Sequence, residues 1–299
     1  MDTPLALPAP RARWRDYLEL TKPRVVALML FTVLVGMLLA APPGALPWRV
    51  ALAAPLGIGL VAGAAAALNH LVDRRIDALM ARTRGRPLPS GALQASQVLA
   101  FAVLLGGTGL ALLLAFANTL CALLTLASLV GYAVVYSLFL KHATPQNIVI
   151  GGAAGAAPPL LGWVAVSGQV EPGALLLFLI IFVWTPPHFW ALAIHRRDEY
   201  ARAAVPMLPV THGIAFTASR VFAYSLACWA VSLLPAAIGL GGTLYLGGAM
   251  LLGARFAWFA WRLRRDTRWA MPTFRCSIST LFGLFALLLA DHYLRLPPG

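Results

Sequence analysis

Long apolar stretches separated by short polar segments run along almost the whole chain. Most stretches hold about 17 to 22 residues, and a helix needs about 20 to cross a hydrocarbon core of about 30 Å. Backbone groups in lipid must be paired internally, which helices achieve within one segment. The pattern predicts an all-α fold, a polytopic membrane helical bundle of about nine transmembrane helices. The apolar runs are 25–41, 50–68, 98–117, 120–140, 148–166, 173–194, 221–240, 243–261 and 276–290.

Composition supports this interpretation. The 299 residues are 60% hydrophobic and only 11% charged, which excludes an ordinary soluble domain. We expect a short N-terminal segment, residues 1–20, followed by a single transmembrane domain over 21–294. The three cysteines, Cys121, Cys228 and Cys276, lie in apolar stretches without a paired spacing, so we interpret them as packing residues.

The net charge of +13 is distributed unevenly along the chain. With the N-terminus inside and nine spans, 20 of the 23 basic residues fall in inner segments, whereas Arg49 and Arg295 fall outside and Arg255 falls within a span. This distribution follows the positive-inside rule, so it predicts a cytosolic N-terminus and argues against nucleic-acid binding. The segment before Thr21 lacks the apolar core of a signal peptide and the composition of a mitochondrial transit peptide, which favours a bacterial cell inner membrane.

The first candidate site follows the second apolar run. Asn69, Asp73 and Asp77 are spaced four residues apart, so on a helix their side chains point to one side. Polar groups at the edge of hydrocarbon are expensive and are therefore functional candidates. Oxygen ligands in this pattern suit Mg²⁺ held between carboxylates and substrate phosphates. The following arginines provide charge for a phosphate: Arg74, Arg75, Arg82, Arg84 and Arg86. The competing interpretation is a helix end whose acids pair with neighbouring arginines.

The second candidate site follows the sixth apolar run. Pro186 and Pro187 remove two backbone donors, and membrane helices tolerate this where the freed carbonyls are buried in protein or line a cavity. We therefore expect a cavity, with His188 and His195 near one face and Asp198 one turn further. The alternatives are a hydrogen-bonded structural histidine at position 188 and a solvated loop at Asp198 and Glu199.

Three shorter stretches give weaker indications of function. Lys141 is the one basic residue of a short loop and either meets a diphosphate or has no functional role. Residues 21–24, with Lys22 and Arg24, open the first apolar run, and a cytosolic anchor is one interpretation of them. The small residues of segment 151–157 let helices approach closely.

The spacing of Asn69, Asp73 and Asp77 resembles the intramembrane prenyltransferase superfamily, which also makes quinones and chlorophyll. Within it, segments 21–24, 80–87, 144–152, 184–190 and 206–209 resemble the branch that farnesylates heme. The resemblance covers about residues 17 to 213. It implies a Mg²⁺-dependent prenyltransferase that moves a farnesyl group from farnesyl diphosphate to a vinyl group of heme b. Hydration then gives heme O for terminal oxidases, so heme b is a substrate.

The resemblance also implies residue roles. Asp73, Asp77 and Asp198 would be catalytic. Metal ligands would be Asn69, Asp73, Asp77, Asp198 and Glu199, and substrate contacts would come from Asn69, Arg82, Arg86, Lys141, His188 and His195. The chain departs from the quinone enzymes at His195, where they have a further aspartate, and histidine is a poor Mg²⁺ ligand. His142 likewise stands where an arginine is expected.

Two alternatives remain. One is a member of the same superfamily that prenylates an aromatic quinone precursor. The other, from a different class, is a small-molecule transporter, since transporters also have interrupted helices and intramembrane acids. If heme is the acceptor, the partners are membrane lipid and a heme A synthase or terminal oxidase that receives the product.

Overall fold

The computed structural model describes residues 13–42, 44–80, 83–140 and 143–294. Within these residues the chain is helical from end to end. The helices are α1 (Trp14–Leu20), α2 (Pro23–Ala40), α3 (Trp48–Leu79), α4 (Ala95–Phe116), α5 (Thr119–Val130, continued by a π-helical stretch Gly131–Leu140), α6 (Asn147–Ser167), α7 (Pro172–His195), α8 (Arg197–Arg202), α9 (Leu208–Thr211), α10 (Ile214–Ala237), α11 (Thr243–Arg265) and α12 (Ala270–Leu294), with a 3₁₀ turn Thr267–Trp269 before α12.

Each of the nine predicted apolar runs lies in a long helix, so the predicted helical membrane fold is confirmed. In the described part of the chain, eight of these helical segments are long and apolar enough to cross a membrane. The remaining helix that contains one of the nine apolar runs is α11. It is 23 residues long but carries four arginines, and their charge reduces its apolar character. The protein is therefore an integral multi-pass membrane protein, and α11 is more polar than the eight candidate spans found among the described residues.

Local sequence explains several helix boundaries. α2 begins at Pro23, whose fixed backbone angle suits the first helical position. α5 begins after Asn118, whose side chain accepts a hydrogen bond from the Cys121 backbone N–H at 2.8 Å. α6 ends at Gly168, which adopts a left-handed φ of 70° that glycine tolerates without strain.

Close backbone approach fixes the crossing of α2 and α6. A Cβ atom added to Gly36 would lie 2.8 Å from the backbone carbon of Pro159, and one added to Gly162 would lie 2.9 Å from that of Val33. No side chain fits at either position, so both glycines are needed for this packing. Further packing joins α6 to α7, α7 to α10 and α12, and α12 back to α2.

The prolines of the sixth run do not end their helix. α7 is continuous from Pro172 to His195, with Pro186 and Pro187 inside it. The hydroxyl of Thr185 donates a hydrogen bond to the Ile181 carbonyl at 2.8 Å. Neighbouring helices bury both prolines, whereas Phe182 and Val183, whose carbonyls lose their N–H partners, are half-buried.

Candidate active site

The first motif occupies the last three turns of α3, which extends to Leu79 and so beyond the predicted apolar run. Asn69, Asp73 and Asp77 are each only 4% exposed. Buried ionisable groups are costly unless they are paired or bind a ligand. The structure therefore places three oxygen-bearing side chains together, inside the protein, at one end of the bundle.

A hydrogen-bond network surrounds Asn69. Its Oδ1 accepts from Nζ of Lys22 at 2.7 Å, and its Nδ2 donates to Oδ2 of Asp73 at 2.9 Å and to Oγ of Ser137 at 3.1 Å. These contacts join the start of α2, the end of α3 and the π-helical stretch. Asn69 thus links three separate parts of the chain.

Asp77 is held by the segment that follows α3. Nη1 of Arg86 donates to Oδ2 of Asp77 at 2.7 Å, and the Thr83 hydroxyl donates to the Asp77 carbonyl oxygen at 2.9 Å. The acid therefore pairs with an arginine nine residues away rather than with Arg74 or Arg75. The ion-pair interpretation applies to Asp77, and it also places a cation beside the carboxylates.

Two tyrosines of the π-helical stretch lie beside the network. The rings of Tyr132 and Tyr136 stack with centroids 5.6 Å apart, and Nζ of Lys22 lies 6.0 Å from the centre of the Tyr132 ring. A Cβ atom on Gly151 would come 2.6 Å from Cε2 of Tyr136, so α6 approaches this ring too closely for any side chain there. Gly151 thereby fixes the position of Tyr136.

The donor chemistry at α3 fits Mg²⁺. Asp73 and Asp77 supply carboxylate oxygens and Asn69 an amide oxygen, all of the hard type that Mg²⁺ prefers. No three histidine, cysteine, aspartate or glutamate side chains within the described ranges come together as a metal-ligand group. Such a pair of carboxylates is the arrangement expected where substrate phosphates complete the coordination.

The second motif lies at the end of α7 and in α8. His195 and Asp198 are exposed and Glu199 is half-buried. Nη1 of Arg197 lies 3.7 Å from Oδ1 of Asp198, while Nε of Arg197 donates to the Pro209 carbonyl at 3.1 Å. Among the described residues these acids do not form a metal-ligand group with one another or with the α3 acids.

His188 is buried within α7, whereas His195, at the end of the same helix, is exposed. Its Nδ1 lies 2.7 Å from Oγ of Ser277, and its ring stacks on Trp184 and Phe274 at centroid distances of 4.1 and 4.5 Å. A cavity of about 10 Å³ borders Trp184. These contacts fit the alternative of a hydrogen-bonded histidine at position 188.

Three residues singled out from the sequence, Arg82, Lys141 and His142, lie outside the described residues. The structure adds others that the sequence analysis did not place in a site. They are Lys22, Ser137, Tyr132 and Tyr136. The one available signal was the match of segment 21–24 to the superfamily motifs, because neither periodicity nor local spacing relates position 22 to position 69.

The profile of the UbiA prenyltransferase family matches residues 29–287 of the chain. The chain belongs to the UbiA prenyltransferase family. It is therefore a prenyltransferase by family, which confirms the resemblance inferred from the motifs.

Curated relatives are similar over nearly the full length. A protein from Azotobacter vinelandii named protoheme IX farnesyltransferase is 63% identical over 298 residues, covering 99% of both chains. One from Pseudomonas entomophila, named protoheme IX farnesyltransferase 1, is also 63% identical over 298 residues with the same coverage.

Solved structures share the fold of this UbiA family member. A digeranylgeranylglyceryl phosphate synthase aligns with a TM-score of 0.79 at 18% identity, covering 93% of this chain and 98% of that one. A UbiA homolog from Archaeoglobus fulgidus bound to DMAPP and Mg²⁺ aligns with a TM-score of 0.63 at 17% identity, covering 91% and 99%. At these identities the likeness establishes the fold alone.

Proposed function

We propose that the protein transfers the farnesyl group of farnesyl diphosphate to a vinyl group of heme b, with hydration, giving heme O. The acceptor is inferred from the 63% identity, over 99% of both chains, to relatives named protoheme IX farnesyltransferase. The donor site is inferred from the buried oxygen and cation cluster around Asn69 and Asp77. The observation that carries the proposal is this identity over nearly the full length of both chains.

The diphosphate binds at the end of α3. Lys22 and Arg86 already contact Asn69 and Asp77 there, so two cations lie where negative charge develops as the diphosphate leaves. Arg82 and Lys141, for which we keep the predicted role of phosphate contacts, add further charge. Asn69, Asp73 and Asp77 would hold Mg²⁺, and the ion would supply positive charge that makes the diphosphate a better leaving group. In the same proposal, Asp198 and Glu199 are further metal ligands, and His195 contacts a substrate.

The reaction breaks the allylic C–O bond of the donor. The terminal vinyl carbon of the acceptor bonds to the farnesyl carbon, and water adds to the other vinyl carbon with loss of a proton, giving the hydroxyl group. The rings of Tyr132 and Tyr136 stabilise the positive charge on the farnesyl group, as aromatic faces do for cations. Both rings are half-buried, so they limit the contact of this charge with bulk water.

The membrane placement follows from the arginine distribution. We assign the end of the bundle that carries Lys22, Asp73 and Ser137 to the cytosolic side of a bacterial inner membrane. The product then passes to a heme A synthase or a terminal oxidase in the same membrane. The domain 21–294 acts as one unit in this proposal.

The test is an assay of membranes with heme b, farnesyl diphosphate and Mg²⁺, followed by mass spectrometry of the extracted hemes. Wild-type protein is expected to yield a farnesylated, hydrated heme, and Asp73→Asn is expected to yield none. Asp266→Asn is the matched control, because Asp266 is outside the cluster and pairs with Arg268. Consumption of the diphosphate with a quinone precursor and not with heme would overturn the proposed acceptor.

A further inference from the structure

A large cavity opens beside the first motif. It has a volume of about 660 Å³, within the range of about 300 to 1,000 Å³ typical of ligand sites. α1, the start of α2, the end of α3 and the segment after α3 enclose it. Its lining includes Trp14, Arg15, Lys22, Arg24, His70 and Arg86. Neither the sequence motifs nor the diphosphate site explains the α1 side of this cavity.

His70 is the unusual group in the lining. The residue is 2% exposed, and neither ring nitrogen has a hydrogen-bond partner among the residues that the structure describes. Buried polar side chains are nearly always hydrogen-bonded, since an unpaired one costs free energy. The His70 ring borders the cavity, but both of its nitrogens are closed to solvent, so a ligand in the cavity reaches them only once the ring rotates.

The charge of the lining indicates what kind of ligand fits. The residues that line the cavity include four basic side chains, those of Arg15, Lys22, Arg24 and Arg86, and one carboxylate, that of Glu19. Lys22 bonds to Asn69, and Arg86 pairs with Asp77. Arg15 and Arg24 are exposed. The cavity therefore combines an anion-binding edge, an apolar wall from Leu18 and Val25, and an imidazole.

We propose that this cavity binds heme b, with its propionate groups toward Arg15 and Arg24 and its iron toward His70. The inference rests on the proposed function, because it names the place of the acceptor in that reaction. Neutral imidazole is a common ligand of heme iron, and arginine pairs with carboxylates. Because Lys22 and Arg86 border both this cavity and the α3 cluster, the acceptor lies next to the diphosphate of the donor.

Other anions share part of this chemistry. The diphosphate of the donor or a phospholipid headgroup would also pair with Arg15 and Arg24, but neither needs an imidazole. His188 is the competing heme ligand, yet its Nδ1 lies 2.7 Å from the Ser277 hydroxyl and two rings cover its faces. His70 has no such partner within the described ranges.

The test titrates purified protein in detergent with ferric heme b and follows the Soret band. His70→Phe, which keeps a ring of similar size, is expected to lose the wild-type Soret position and to bind heme at least about tenfold more weakly. Arg15→Gln with Arg24→Gln is expected to weaken both heme and metal-free protoporphyrin, since the propionates remain. Arg49→Gln, an exposed arginine outside the cavity, is the control and is expected to match wild type.

Farnesyl diphosphate affinity, measured on the same samples, reports that each variant is folded. For His70→Gly, added imidazole is expected to restore the Soret position, which a merely structural role would not allow. Wild-type Soret position and affinity in His70→Phe, or their loss in His188→Ala alone, would overturn the proposal. If the variants lose diphosphate affinity and keep heme affinity, the cavity belongs to the donor instead. The proposed function is tested separately: if wild-type protein makes farnesylated heme, that function holds whichever of these outcomes is found for the cavity.

Discussion

Nζ of Lys22 donates a hydrogen bond to Oδ1 of Asn69 at 2.7 Å, so the turn between α1 and α2 is joined directly to the motif on α3. Lys22 adopts a left-handed φ of 51°, which is uncommon for a residue other than glycine. Such a conformation costs about 1 to 3 kcal/mol and persists only where surrounding contacts hold it. Pro23 begins α2 immediately afterwards, and the network around Asn69 holds the side chain.

Removal of this amine tests its part in catalysis. Lys22→Met keeps the length of the side chain but removes the charge, and we expect farnesyl transfer to fall about 10²- to 10³-fold, the effect of losing one preorganised donor. Lys22→Arg is expected to retain more activity because the charge remains. The measurement is kcat and KM for farnesyl diphosphate. Full activity in Lys22→Met would show that the residue is only an anchor.

Removal of divalent cations tests the oxygen cluster. A chelator is expected to abolish farnesyl transfer by wild-type protein, and added Mg²⁺ is expected to restore it, because without a cation between them the carboxylates of Asp73 and Asp77 repel the diphosphate. The Soret band of bound heme, recorded in parallel, is expected to remain, since its proposed contacts need no Mg²⁺. Transfer that continues at full rate in the chelator would contradict a metal role for the cluster.

The fold was largely predictable because its signal is local. Nine apolar runs became nine helices, and the three polar side chains of the first motif share one face of α3 as their spacing required. α3 continues past the apolar run to Leu79, as the helical spacing of the motif implied, whereas the burial of its polar residues after position 68 comes from tertiary contacts. Pro186 and Pro187 likewise remain in a continuous helix because neighbouring helices enclose them.

The site was only partly predictable because its contacts join distant positions. Asn69 bonds to Lys22 and Ser137 across 47 and 68 residues of sequence. No periodicity relates such positions, so the sequence pattern does not predict that Lys22 and Ser137 contact Asn69. The pairing of His188 with Ser277 spans 89 residues and was equally invisible, although a hydrogen-bonded histidine was among the alternatives.

The approach of α6 to Tyr136 gives a prediction with an internal control. Gly151→Ala would place a methyl group 2.6 Å from Cε2 of the Tyr136 ring, so the ring must move away from its stack with Tyr132. Overpacking of this kind costs about 1 to 3 kcal/mol, and we expect a lower thermal midpoint in detergent together with reduced transfer. Gly155→Ala, on the same helix with no heavy atom within 4 Å, is expected to match wild type. Equal behaviour of the two variants would contradict a packing role for Gly151.

The ion pair of Arg86 with Asp77 allows its structural and catalytic parts to be separated. Nη1 of Arg86 lies 2.7 Å from Oδ2 of Asp77, and the acid is almost fully buried. Arg86→Gln leaves a buried carboxylate without its cation, and breaking one partner of a buried pair costs about 3 to 5 kcal/mol. We therefore expect a marked fall in the thermal midpoint and loss of farnesyl transfer.

The double variant Arg86→Gln with Asp77→Asn removes both charges. It is expected to recover much of the thermal midpoint, because the unpaired carboxylate is gone. Farnesyl transfer is expected to stay lost, since position 86 no longer has a cation to neutralise the leaving diphosphate and position 77 no longer has a carboxylate to hold Mg²⁺. The two measurements are the thermal midpoint in detergent and the yield of farnesylated heme. If activity returned with stability in the double variant, the pair would act only in folding, and the placement of the diphosphate beside Asp77 would be wrong.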